Sequence, residues 1–212
     1  MFRAGLLDFV FPSRCAVCDA AGPNLCSNCQ GVLKPSPHFF SRGPVRAQAA
    51  TYLSSEVSKL LVAFKDGGQF ALVREMAELI APLVLEIQQY SGDVYLVPAP
   101  SRSENFSRRG FVPSLVLAQA LASLARTPKV LNCLILSSSV KDQVGLSGVQ
   151  RQENLTGSMR LNQKVVGKSC FIVDDICTTG STIIEAFRAL TLGGATVMGA
   201  LVVSESKPLN HQ

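Results

Sequence analysis

No stretch of this chain approaches the roughly 18–20 consecutive apolar residues that a membrane-spanning helix needs, so no such helix is predicted. The opening segment, Met1 to Pro12, also lacks the marks of a secretory signal. It holds a single Arg, its short run Leu6-Leu7-Asp8-Phe9-Val10-Phe11 is broken by an acid, and it has no small-residue cleavage site. A cytoplasmic protein is expected. A Gly-x-x-x-x-Gly-Lys-Ser/Thr loop is absent, which argues against a nucleoside triphosphatase of the P-loop kind. There is no internal repeat and no low-complexity tract. The two histidines, His38 and His211, have no metal-ligand spacing to anything and take no assigned role.

What is present suits a compact fold. The 212 residues are 47% hydrophobic and 17% charged, enough for one full domain and a small appendage. Net charge is +5, and its location matters more than its size. Residues 101–160 carry eight Lys/Arg against three Asp/Glu, residues 1–50 carry +3, residues 51–100 carry −3, and the remainder is balanced. An anionic ligand such as pyrophosphate, or a nucleic-acid backbone, would suit the basic stretch. An ordinary solvated surface would explain it too.

The run from Cys170 to Thr182 carries the most chemistry. Cys170-Phe171-Ile172-Val173 predicts a buried strand, halted by the carboxylates of Asp174 and Asp175. A loop of hydroxyls and glycine follows. Ile183, Ile184, Phe187 and Leu190 then fall at helical spacing until Gly193-Gly194. Backbone N–H groups at a loop and helix start favour a phosphate, and Gly180 allows it a close approach. Thr178, Thr179, Ser181 and Thr182 add hydroxyl donors. Carboxylates would repel that phosphate, so Asp174 and Asp175 are better placed to accept hydrogen bonds from sugar hydroxyls. A phosphate and a diol one strand-end apart describe a ribose 5-phosphate.

Four of the seven cysteines cluster near the start. Cys15-x-x-Cys18 and Cys26-x-x-Cys29 flank the turn formers Gly22, Pro23 and Asn24. Each bend can aim two thiolates at one point, and two bends complete a tetrahedral Zn²⁺ site. Four sulfur ligands leave no open position, so the metal would be structural. Without a secretion signal a disulfide framework is not expected, and a redox pair leaves the second bend unexplained. Residues 1–44 thus form a zinc-knuckle module with its linker, marked by Pro35, Pro37, Gly43 and Pro44, and residues 45–212 form the main domain. Loss of one knuckle cysteine is expected to leave residues 45–212 largely folded. Cys133 and Cys170 lie in apolar runs and read as inert thiols. Cys177 sits at the loop, where a helix start could activate it, though a space-filling role is the plainer reading.

Along the main domain, Tyr52 falls in a short strand and Val57, Leu60, Leu61 and Phe64 mark a helix ending near Lys65-Asp66-Gly67-Gly68. A second amphipathic stretch runs from about Phe70 to Ile87. Val94–Val97 is a strand leading into a Pro98–Gly110 loop, Pro113–Ala125 a helix, and Leu131–Leu136 a strand. Residues from Ser137 to Arg160 are polar and aperiodic, which predicts a long loop of the kind that covers a site. Alternating strands and helices predict an α/β fold, a mainly parallel sheet with helices on both faces and a ligand at the strands' carboxyl ends.

The segment Phe171–Thr182 resembles the 5-phosphoribosyl-1-pyrophosphate (PRPP) signature of type I phosphoribosyltransferases, position by position. Over nearly the whole length, the chain resembles the ComF family. Its landmarks here are Phe11-Pro12, the four cysteines, Phe64-Lys65, Pro98-x-Pro100, Arg109-Gly110-Phe111, then Gln143, Leu146, Arg151 and Asn154, and finally Asp174–Thr182. The resemblance implies a sheet of the type I phosphoribosyltransferase kind and a reaction that transfers a phosphoribosyl group and releases pyrophosphate. It implies PRPP contacts at Ser101, Arg102, Asp174, Asp175 and the Thr178–Thr182 loop. Mg²⁺ would bridge ligand oxygens, and Arg102, Arg108 or Arg109, with Arg151 from the covering loop, would neutralise pyrophosphate. The family is associated with DNA uptake, so a nucleic-acid-binding accessory and a PRPP sensor are alternative roles, and a homo-oligomer is compatible with all three. One departure stands out. The family usually continues Arg-Gly-Phe with Asn-Gln, where this chain has Val112-Pro113. Losing those amides bears on catalysis more than on ligand binding.

Overall fold

A computed structural model describes residues 13–87, 93–125, 129–137 and 157–206. Six strands form one sheet in the order β1-β2-β8-β7-β3-β4. They are β1 (His38–Arg42), β2 (Val45–Tyr52), β3 (Val94–Pro98), β4 (Lys129–Val130), β7 (Ser169–Cys177) and β8 (Thr196–Glu205). All neighbours are parallel except β1, which returns antiparallel on β2. A separate antiparallel pair joins β5 (Leu134–Leu136) to β6 (Met159–Leu161). The expected mainly parallel α/β architecture is present, with a four-cysteine cluster near its N-terminus.

The central strands alternate their burial between two cores. Phe171 and Val173 of β7 join Leu96, Leu201 and Val203 under helices α2 (Ser55–Lys65), α3 (Leu72–Ile87) and α5 (Pro113–Ala125). Cys170 and Ile172 point to the opposite face, where α6 (Ser181–Leu192) and the β5–β6 pair cover them. A strand with apolar side chains on both faces reads as a continuous hydrophobic run, which is why Cys170–Val173 showed no alternation of its own. Among the described residues no helix is long and apolar enough to cross a membrane.

Several local expectations are corrected. β7 does not stop at the acidic pair; it runs on to Cys177 because β8 keeps pairing with it, Asp174 opposite Val202 and Cys177 opposite Glu205. A ladder of backbone hydrogen bonds is indifferent to side-chain charge. The Pro98–Gly110 loop contains α4 (Ser103–Arg109), closed by Gly110 at φ 75°. Phe106 is the single large apolar residue of that helix and is half exposed, so it left no amphipathic period. Of the run Leu131–Leu136 only Leu134–Leu136 is a strand: β4 has already ended at Val130 on the main sheet, and β5 turns away to pair with β6. β1 and the short α1 (Ser27–Val32) lie within residues 1–44, and β1 completes the edge of the main sheet. Gln143, Leu146, Arg151 and Asn154 lie outside the described residues, as do Phe11, Pro12 and His211.

Candidate functional site

β3 and β7 are parallel neighbours, and the turns leaving their carboxyl ends surround a cavity of about 300 Å³. From β7 come the two carboxylates. Asp174 is partly buried, and its Oδ1 accepts the backbone N–H of Asp175 at 2.9 Å. Asp175 is 4% exposed, and its Oδ2 takes the Lys65 ammonium at 2.6 Å. The chain then turns through Gly180, at φ 83°, into α6. A Cβ there would stand 2.5 Å from Cγ of Arg42, so the turn is restricted to glycine by space as well as by conformation. Glycine at this cap position brings no oxygen of its own to the first N–H groups of α6, which suits an external anion. Thr178 and Thr182 line the cavity, while the Thr179 and Ser181 hydroxyls bond each other at 2.8 Å.

The opposite wall is basic. Ser101, Arg102 and Arg109 line the same cavity, so seven of the residues picked from sequence surround one space: these three, the two acids, Thr178 and Thr182. Arg109 is held by Asp66, Nε to Oδ1 at 2.9 Å, and Arg108 reaches the same oxygen at 3.0 Å. Lys65 and Asp66 close α2, and together they tie that helix to both walls. Sequence reading noted Lys65 only as a landmark. No local pattern could show that it meets a carboxylate more than one hundred positions away. A second cavity of about 450 Å³ shares Ser101 and Arg102, and Val112 lies in its wall beside Phe106 and Leu134.

Asp174 binds its proton unusually tightly. Burial, followed by the adjacent Asp175 charge, raises it from 3.8 to about 7 against the pull of Lys65. An acid with a raised folded-state pKa adds stability at low pH, and that contribution is lost as pH rises from 3.8 to about 7. Between about pH 6 and about pH 8, wild type should therefore lose more melting temperature than Asp174→Asn. Equal losses in the two proteins would show that Asp174 titrates as an ordinary carboxylate.

Sequence reading also missed a buried cluster behind the loop. Glu205, 5% exposed at the end of β8, accepts Arg42 Nη2 at 2.6 Å and lies 2.9 Å from His38 Nε2. Arg42 donates onward from Nε to the Thr178 carbonyl at 3.3 Å. His38, given no role from its sequence spacing, stacks on Tyr52 with ring centroids 3.8 Å apart. This cluster ties the β1 edge to the turn of the candidate phosphate loop. On the far side, Glu185 of α6 accepts the Met159 N–H at 2.9 Å, and Arg188 clasps Glu185 and the Met159 carbonyl, fixing β6 to the same helix. Burial pushes the Cys177 thiol up to about 12, so it offers no nucleophile beside the loop. Cys133 and Cys170 rise to about 11 and about 12 for the same reason.

The four N-terminal thiols converge, every sulfur within 4.8 Å of the others. Cys18 and Cys26 stand 3.8 Å apart, matching the edge of about 3.8 Å that a Zn–S bond of about 2.3 Å gives a tetrahedron. Burial opposes ionisation of Cys15, but backbone hydrogen bonds from Cys18, Cys26 and Val17 outweigh it and bring the thiol down to about 6. Cys15, Cys29, Leu25 and Leu33 share one continuous core with α2, and Lys59 of α2 donates to the Val17 carbonyl at 3.3 Å.

The sequence matches a phosphoribosyl transferase domain over residues 107–208. It is 29% identical to the DNA utilization protein YhgH of Salmonella typhimurium across 88% of this chain and 81% of that protein. The chain is thus similar to the DNA utilization proteins and carries a phosphoribosyl transferase domain match. The Escherichia coli K12 protein of the same name is 32% identical over 49% of this chain, and the match spans 45% of that protein. A solved adenine phosphoribosyltransferase from Saccharomyces cerevisiae aligns with 85% of this chain and 89% of its own, at 14% identity and a TM-score of 0.45.

Proposed function

We propose that the cavity between the ends of β3 and β7 binds the phosphoribosyl group of PRPP or ribose 5-phosphate. The observation that carries this reading is one space with three chemistries on its walls. Asp174 and Asp175 face it as hydroxyl acceptors, the Thr178–Thr182 turn opens α6 to a phosphate, and Arg102 and Arg109 stand across from both. The reaction such a pocket serves is transfer. A bond forms from an acceptor to the anomeric carbon while the carbon–oxygen bond to pyrophosphate breaks, its electron pair leaving with pyrophosphate. Arg102 and Arg109 would meet that growing negative charge.

Mg²⁺, expected alongside PRPP, would meet an acidic pair that is already partly engaged. One Asp175 oxygen, Oδ2, is held by Lys65, and Asp174 Oδ1 by a backbone N–H. We propose further that the thiol cluster holds one structural Zn²⁺, in a cytoplasm that keeps all seven cysteines reduced.

Calorimetric titration with ribose 5-phosphate tests the binding reading: saturable heat is expected, and no binding would overturn it. Pyrophosphate release from PRPP with a panel of nucleobases separates transfer from sensing. A second reading, a nucleic-acid-binding accessory, draws on the name carried by the relatives, DNA utilization protein. It requires DNA binding that weakens steeply with salt, log K falling by about 0.7–0.9 per phosphate contact per log unit. No binding at low salt would remove it.

A further inference from the structure

The side chain that sits on the acidic pair of the cavity is a lysine. Lys65 Nζ lies 2.6 Å from Asp175 Oδ2, with the two side chains 21% and 5% exposed. Lys65 is held there by both its neighbours in sequence. Phe64 is fully buried and packs edge-on against Phe111 at 5.4 Å, while Asp66 is bound by Arg108 and Arg109. The three residues Phe64, Lys65 and Asp66 thus point into the core, the acidic pair and the arginine wall respectively. The ammonium also ends α2, where the helix dipole favours a cation. Such a side chain is preorganised; placing it costs little when a ligand arrives.

We propose that Lys65 is the resident counter-cation of the acidic pair, and that it lets the pocket bind a sugar phosphate without a divalent metal. This rests on the phosphoribosyl reading of the cavity. Two carboxylates in the wall of a cavity that holds a phosphate would otherwise repel it. A divalent ion is one remedy. Lys65 supplies another from within the chain, by neutralising Asp175. Asp174, with its proton held to about pH 7, adds less than a full negative charge. A divalent cation approaching the pair must first displace an ion-paired ammonium at 2.6 Å, so Lys65 also guards the carboxylates against free metal. The hydroxyls of the ribose still have acceptor oxygens, since a carboxylate has about four lone-pair sites and Lys65 uses one.

Two measurements decide this, each on the full chain with its thiol-bound metal retained, in metal-stripped buffer without chelator. The first is calorimetry with ribose 5-phosphate, with and without added Mg²⁺. Wild type should bind within about threefold of the same affinity in both. Lys65→Met should bind about tenfold or more weakly without metal and recover with it, while Lys65→Arg should behave as wild type. The second is Mn²⁺ binding by electron paramagnetic resonance, without sugar phosphate. Wild type should take up no Mn²⁺ at the pair, and Lys65→Met should gain a site that Lys65→Met/Asp175→Asn loses. Mg²⁺-dependent binding by wild type, or equal Mn²⁺ uptake by wild type and Lys65→Met, would overturn the proposal. Should ribose 5-phosphate fail to bind under any condition, the phosphoribosyl reading falls, and the Mn²⁺ comparison still decides whether Lys65 occupies the cation position. Should Lys65→Met not fold, Lys65→Gln, which removes the charge but keeps a hydrogen-bond donor for Asp175, takes its place in both measurements with the same expected outcomes.

Discussion

Replacing Asp175 by alanine should both weaken the fold and cripple ligand binding. The variant leaves the Lys65 ammonium in a cavity wall, 21% exposed, without the carboxylate that now neutralises it. Breaking one side of a buried ion pair costs about 3–5 kcal/mol, and the residual exposure of Lys65 puts the expected loss near the lower end. Ligand binding suffers for a different reason. A hydrogen bond to a charged group contributes about 1.5–3 kcal/mol, so losing carboxylate–hydroxyl bonds should weaken ribose 5-phosphate about tenfold to a hundredfold. Chemical denaturation and calorimetry measure the two effects separately. The double variant Asp175→Ala/Lys65→Met should recover much of the stability, because no orphan charge remains, while staying weak for the ligand. Unchanged affinity in Asp175→Ala would show that Asp175 does not touch the sugar.

The second large effect is expected at the opposite end of the chain. Cys29 is 7% exposed and Cys15 is 2% exposed, and both belong to the core that lies under α2. Cys29→Ser should lose the metal and, with it, several kcal/mol of folding free energy, since binding at such a site is folding free energy. A separate module would confine the damage to residues before 45. The continuous core, and the bond from Lys59 to the Val17 carbonyl, carry it into α2 instead. Hydrogen exchange should therefore accelerate through residues 13–33 and into residues 55–65. Because Lys65 ends α2, ribose 5-phosphate binding should weaken as well. Full retention of zinc by metal analysis would count against the four-thiol site, and unaltered exchange in residues 55–65 against the coupling.

Sequence alone was informative wherever chemistry is local. The order from Phe171 to Thr182 placed two carboxylates, a glycine turn and a helix start within twelve residues, and short spacing forces such groups into one neighbourhood whatever the rest of the chain does. The paired Cys-x-x-Cys bends are local in the same sense. Helix α5 was readable from Pro113 to Ala125 because proline suits a first helical turn and marks where the helix begins. The mainly parallel architecture followed from the alternation of strands and helices.

Tertiary structure decided what depends on distant partners. The run Leu131–Leu136 looked like one strand, but its second half answers to Met159–Leu161, which local periodicity does not contain. β7 continued past its carboxylates because β8 lay alongside. His38 and Arg42 meet Glu205 only because β1 and β8 flank β2 in the sheet. Lys65 is the sharpest case. Its helix could be predicted, and so could the acidic pair, but their meeting depends on how α2 is laid across the sheet. An ion pair between residues 65 and 175 leaves no periodic trace in either segment, because electrostatic partners are chosen by proximity in space and the packing of the two cores sets that proximity.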